Sequence, residues 1–135
     1  MTVVAFSSRR EYRAMPVPVI ARVHGLATAA GCQLVGMCDL AVAGRDARFA
    51  VSGINVGLFC ATPGVALSRN VPRKAAFEML VTGAFISADE ACAKGLVNRV
   101  AEPAELDAEV ERLVARIAAK PRTALALGKA LFYRQ

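Results

Sequence analysis

Two short apolar runs, PVIARV at residues 18–23 and LAVAG at residues 40–44, flank the stretch HGLATAAGCQLVGMCD, and this arrangement constrains the fold more than any other feature. Neither run alternates apolar with polar residues, so each reads as a strand covered on both faces. Parallel strands need a crossover of a dozen or more residues, usually a helix. The intervening stretch has that length, and we expect its helix over 28–38, capped by Thr28. ARFAV at 47–51 reads as a further short strand. Together these segments predict a compact βαβ core whose helix begins in the small-residue turn at Ala29, Ala30 and Gly31. The first backbone N–H groups of a helix have no partner within it, so such a turn can receive an anion or a polarised carbonyl oxygen.

The rest of the chain reads as mostly helical. SGINVGLFCAT (52–62) is expected as an ordered loop, with Pro63 in the first turn of the helix that follows. PRKAAFEMLVTG (72–83) is a helix opened by Pro72 and stopped by Gly83, with Ala75, Ala76, Met79 and Leu80 on one face. SADEACAKG (87–95) has the capping-box pair Ser87 and Glu90, with Gly95 at its C-terminal end. LVNRV (96–100) is a strand or extended segment. Leu106, Val110, Leu113, Val114 and Ile117 recur at three- and four-residue spacing, so this helix docks on one side. After Pro121 a last helix runs toward Leu131, Phe132 and Tyr133, and the sequence reads as stopping in mid-helix, with apolar surface left for a partner or for missing sequence.

With 135 residues, 56% of them hydrophobic and 21% charged, the chain can bury one core. No apolar stretch reaches the roughly 18 residues of a membrane span. The net charge of +6 comes from dispersed cations, at most two adjacent, with few aromatics between them, which argues against a nucleic-acid surface and suits a small polyanion. Cys32, Cys38, Cys60 and Cys92 form no CxxC pair and the single histidine, His24, has no nearby metal-ligand partner, so we expect reduced thiols and no metal. Residues 1–15 hold Ser and Arg but lack the length and amphipathic period of a transit peptide. The compartment expected is the cytoplasm, with the mitochondrial matrix as the alternative.

The order PVIARVHGLATAAGCQL, CDLAVAG, ARFA and then EMLVTGAFISADEACAKGLVNRV resembles the crotonase superfamily, the enoyl-CoA hydratase/isomerase family, from about Pro16 to Phe132. The resemblance implies an α/β fold of ββα units, the ClpP/crotonase type, truncated here at both ends. It divides the chain into an atypical N-terminal segment (1–15) and a partial domain (16–135), with a βαβ core at 16–51, a pocket loop at 52–62 and a helical part at 63–135. It implies an acyl-CoA thioester as substrate, no further cofactor, and assembly as a trimer or a hexamer. The Ala30 backbone N–H becomes the oxyanion donor. Leu26, Ala27, Ala29, Gly31, Asn55 and Phe59 become substrate-binding positions, and Ser52 and Cys60 line the same loop. A second donor is faintly echoed in AFSS (5–8), although the helix that normally separates it from Pro16 is missing.

The glutamate pair that hydratases use for acid-base work maps onto Gln33 and Gly53. Gln33 can orient a water but exchanges no proton near neutral pH, and Gly53 has no side chain. Asp39 is expected to bond backbone N–H groups at the helix-to-strand junction, and His24 to serve the turn. The sequence therefore supports an acyl-CoA scaffold more strongly than it supports hydration. A non-catalytic acyl-CoA-binding or assembly subunit, or a truncated inactive fragment, stands as the alternative.

Overall fold

The computed structural model describes residues 9–134. Two three-stranded sheets position everything else. The first is wholly parallel, in the order β1 (Ile20–Val23), β3 (Leu40–Gly44), β6 (Arg99–Ala101), and the second runs β2 (Leu26–Thr28), β4 (Arg48–Ala50), β5 (Ile86–Ser87). Ile20 faces Leu40 in the first sheet and Leu26 faces Arg48 in the second, both in parallel register. Each β-pair thus continues beside the next around the crossover helix α2 (Ala30–Met37), as a ββα unit requires.

The β3 strand and the parallel β1–β3 pairing are where the sequence puts them. The start of α2 is not: residues 26–28 form strand β2, so Thr28 lies in the ladder and the N-cap is Ala29. A three-residue strand carries almost no local signal, and its hydrogen bonds come from β4, which lies about twenty residues further along. The strands read at 18–23 and 47–51 shorten to Ile20–Val23 and Arg48–Ala50. The expected loop at 52–62 contains a turn of 3₁₀ helix over Ser52–Val56, and α3 (Ala61–Leu67) begins two residues before Pro63. Helix α1 (Arg9–Ala14) occupies the region where no helix was expected, whereas residues 5–8 lie outside the described residues.

Helices α4 (Arg73–Thr82) and α5 (Ala88–Ala93) follow the sequence closely. Pro72 is the N-cap of α4, and Gly83 ends it at φ 62°, a left-handed conformation that glycine adopts without strain. Ala76, Met79 and Leu80 are buried and Ala75 is half-buried. Ser87 Oγ accepts from the Glu90 N–H (3.1 Å) and the Ser87 N–H donates to Glu90 Oε2 (2.7 Å), completing the capping box.

The main core joins β2, β4, α2, α4 and α5 around Phe49, Leu67, Val51 and Cys32, all fully buried. Burying a side chain such as Phe49 contributes about 1.5–3 kcal/mol. A second core forms where α6 (Leu106–Ala118) lays Leu106, Val110 and Leu113 against Val42 of β3, with half-buried Ile117 beside them. Val114 was expected on this face but stays 47% exposed. The last helix, α7 (Arg122–Phe132), has Tyr133 as its C-cap. Leu131 and Phe132 are exposed there, whereas Tyr133 is half-buried. No helix among the described residues is long and apolar enough to cross a membrane.

Candidate active site at the N-terminus of α2

Ala29 joins β2 to α2 with φ 46° and ψ −110°, and among the described residues no other non-glycine has a positive φ. An alanine there stores backbone strain, on the order of 1–3 kcal/mol, that its surroundings must hold in place. The holding contacts are two. The Ala29 N–H donates to Ala50 O on β4 (3.0 Å), and Ala29 O accepts from the Gln33 N–H (3.0 Å), the first hydrogen bond of the helix.

This bend turns the chain from strand to helix within one residue, and no side chain caps the helix. The N–H groups of Ala30, Gly31 and Cys32 belong to the first turn, where helical geometry supplies no acceptor. Space in front of Gly31 is open: a Cβ built there meets nothing within 4 Å. The Cys32 side chain points the other way, fully buried, and burial pushes its thiol up to about 12, with the nearby Cys60 adding to the shift. Ala27 likewise buries its methyl in the core, so only its backbone is available to a ligand.

Gln33 and Gly53 differ in what they could accommodate. Gln33 is half-buried on the first turns of α2, and its Nε2 contacts Met37 Sδ at 3.6 Å. At Gly53 a Cβ would lie 2.7 Å from Leu58 O and 2.7 Å from Cys60 Sγ. The loop is closed over this position, with the Leu58 N–H donating to Gly53 O (2.9 Å). No carboxylate side chain fits at 53 without moving backbone, and the nearest reactive atom is the Cys60 sulfur.

The remaining loop positions divide by direction. Asn55 faces the end of α4, where its Nδ2 lies 3.5 Å from Gly83 O and its amide packs against the space over Gly83, tying the 3₁₀ turn to α4. Phe59 and Leu26 are 51% and 70% exposed, and with Val56 and Leu58 they leave an apolar surface on the segments that flank the turn. His24 contacts Arg22 through Nδ1 (3.1 Å) in the turn between β1 and β2.

Asp39 has a larger role than expected. Its Oδ2 accepts from the Val19 N–H (2.6 Å) and from Lys129 Nζ (2.7 Å), and Lys129 also donates to Tyr12 O and Val17 O. Lys129 is invisible as a partner in the sequence because ninety positions separate it from Asp39. Among the described residues no group of three or more His, Cys, Asp or Glu side chains lies together to hold a metal ion.

The family model described as enoyl-CoA hydratase/isomerase matches residues 5–135. The chain is 56% identical over 124 residues to "Enoyl-CoA hydratase domain-containing protein 3, mitochondrial" of Xenopus laevis, covering 92% of this chain and 42% of that protein. It is 59% identical over 120 residues to the Homo sapiens protein of the same name, covering 89% of this chain and 40% of that one. Among solved structures, an enoyl-CoA hydratase of Mycobacterium smegmatis superposes with a TM-score of 0.91 at 74% identity, over 93% of this chain and 49% of that one. The chain therefore spans about half the length of the relatives it matches. With its ββα fold and helix-start turn, it belongs to the enoyl-CoA hydratase/isomerase family.

Proposed function

We propose that this chain binds acyl-CoA thioesters, with the thioester carbonyl oxygen held by the Ala30 backbone N–H at the start of α2. The observation that carries this reading is the strained Ala29 bend, which leaves the first turn of α2 uncapped in front of open space. A thioester carbonyl gains negative charge as its α-carbon loses a proton or its β-carbon gains a nucleophile. A fixed N–H donor stabilises that charge without needing a side chain. Ala29, Ala30 and Gly31 serve this role because they are small. Leu26 and Phe59 offer apolar contacts for the acyl or pantetheine portion.

The proton-transfer groups of a hydratase are a separate matter. Gln33 cannot act as an acid or base near neutral pH, and Gly53 sits where even a methyl group collides with Leu58 O. That contact favours a second reading, in which the chain holds the thioester without hydrating it. We assign self-association to a trimer or hexamer, with exposed Leu127 and Leu131 of α7 as the apolar face available for it. The mitochondrial names of the vertebrate relatives support the organelle-matrix alternative to the cytoplasm.

The test is thermal melting of the chain with and without crotonyl-CoA, with absorbance of the enoyl thioester followed in the same sample. A raised melting temperature with constant absorbance is the result expected of a binding scaffold. Loss of absorbance would show hydration and reject the second reading, and an unchanged melt with constant absorbance would reject thioester binding altogether.

A further inference from the structure

At the opposite end of α2 from the Ala30 turn lies a cavity of about 270 Å³ lined by Arg13, Met37, Arg69, Asn70, Phe132 and Tyr133 together with Gly36 and Asp39. An eight-residue helix is about 12 Å long, so this cavity is separate from the thioester site. Its charge is unbalanced. Asp39 is the one acidic side chain in its wall and is already engaged by Lys129 Nζ and the Val19 N–H. Among the described residues, neither Arg13 nor Arg69 has a carboxylate partner within salt-bridge distance.

The surrounding contacts prepare the cavity for an anion. The Arg13 guanidinium stacks over the Tyr133 ring, 4.7 Å from its centroid, which fixes its plane and leaves its edge N–H groups free to form a fork. Tyr133 itself is turned toward Asp39: burial, then the hydrogen bond to Asp39, holds its phenol well above the usual range and therefore neutral. Carbonyls at the ends of α2 and α3 would repel an anion, but Asn70 Nδ2 donates to Gly36 O (2.7 Å) and Ala66 O (2.8 Å). Arg69 lines the same cavity and is exposed.

We propose that this cavity is a second ligand site, for a small organic phosphate monoester. Two uncompensated guanidiniums match a dianion better than a single carboxylate, and bidentate arginine contacts suit phosphate geometry. The volume exceeds what a bare phosphate fills, so the organic remainder packs against Met37 and Phe132. The phosphate belongs either to a free ester or to the 3′-phosphate of coenzyme A.

Titration of the chain with inorganic phosphate, followed by calorimetry at fixed ionic strength, tests the site independently of thioester binding. Saturable one-to-one binding is expected, weakened about tenfold by Arg69→Ala, which removes one charge-assisted contact, and unchanged by Arg73→Ala on the remote face of α4. Arg69 is exposed, so its variant folds even if Arg13→Ala does not. Heat that never saturates, an affinity unaffected by Arg69→Ala, or acetate binding as tightly as phosphate would each overturn the proposal. Competition with coenzyme A and dephospho-coenzyme A then identifies the source. Displacement of phosphate by coenzyme A alone supports the site with the 3′-phosphate as its ligand, and displacement by neither supports it with a free ester.

Discussion

Lys129 Nζ lies 2.7 Å from Asp39 Oδ2, and this contact fastens α7 to the junction of α2 and β3. Both side chains are almost fully buried, 6% and 11% exposed, and the remaining Lys129 protons go to Tyr12 O and Val17 O. Removing the cation alone strands a buried carboxylate. Lys129→Met is expected to destabilise the fold by about 3–5 kcal/mol, and adding Asp39→Asn should recover part of that loss. Urea unfolding of the single and double variants measures both values. A single variant within about 0.5 kcal/mol of wild type would show that the pair is not holding the chain ends together.

Ala29 gives a prediction of opposite sign. Glycine adopts φ 46° freely, so Ala29→Gly relieves strain of about 1–3 kcal/mol while adding about 0.4–1 kcal/mol of unfolded-state entropy. The variant should be as stable as wild type or more so, and the proposed thioester binding should be retained because the Ala30 N–H is unchanged. Ala29→Val should lose stability by more than about 1 kcal/mol, since a β-branched residue is poorly tolerated at positive φ. Thermal denaturation of the two variants reads the difference.

Placing a carboxylate at Gln33 or at Gly53, the two positions onto which the resemblance maps the hydratase glutamates, should be tolerated at the first and not at the second. Gln33→Glu changes a half-buried helix residue and is expected to shift stability by less than about 1 kcal/mol. Gly53→Ala already places a carbon 2.7 Å from Leu58 O and Cys60 Sγ, and should cost about 1–3 kcal/mol. Gly53→Glu should therefore destabilise the chain without producing crotonyl-CoA hydration. A stable Gly53→Glu variant that consumes the enoyl absorbance would show that the loop opens more easily than its contacts indicate.

Cys32 links pH to stability. Its thiol is raised from an ordinary value of 9.0 to about 12, chiefly by burial. Stability from this group is fully present below pH 9, where both states are protonated. It falls as pH rises from there toward 12, because the unfolded chain releases the proton first. Over that window the loss is about 1.4 kcal/mol per pH unit. Urea midpoints from pH 8 to 11 should decline in wild type and decline less in Cys32→Ala. Iodoacetamide at pH 8.5 should leave Cys32 unmodified until the chain unfolds, as peptide mapping can establish.

What the sequence determined by itself was local. Strand β3, the stop at Gly83, the Ser87–Glu90 capping box and the buried stripe of α6 each depend on residues within a few positions of one another. The linked motifs around the Ala30 turn carried the family. Tertiary structure decided the rest. Strand β2 exists because β4 supplies its hydrogen bonds, and the left-handed bend at Ala29 is held by Ala50 O. Asn55 is directed to Gly83, Lys129 to Asp39, and Arg13 to Tyr133, across separations of 28, 90 and 120 positions respectively. Backbone propensity and side-chain periodicity act over a turn or two of chain, whereas hydrogen bonds and charge pairing depend on distance in space, which only the packed fold fixes.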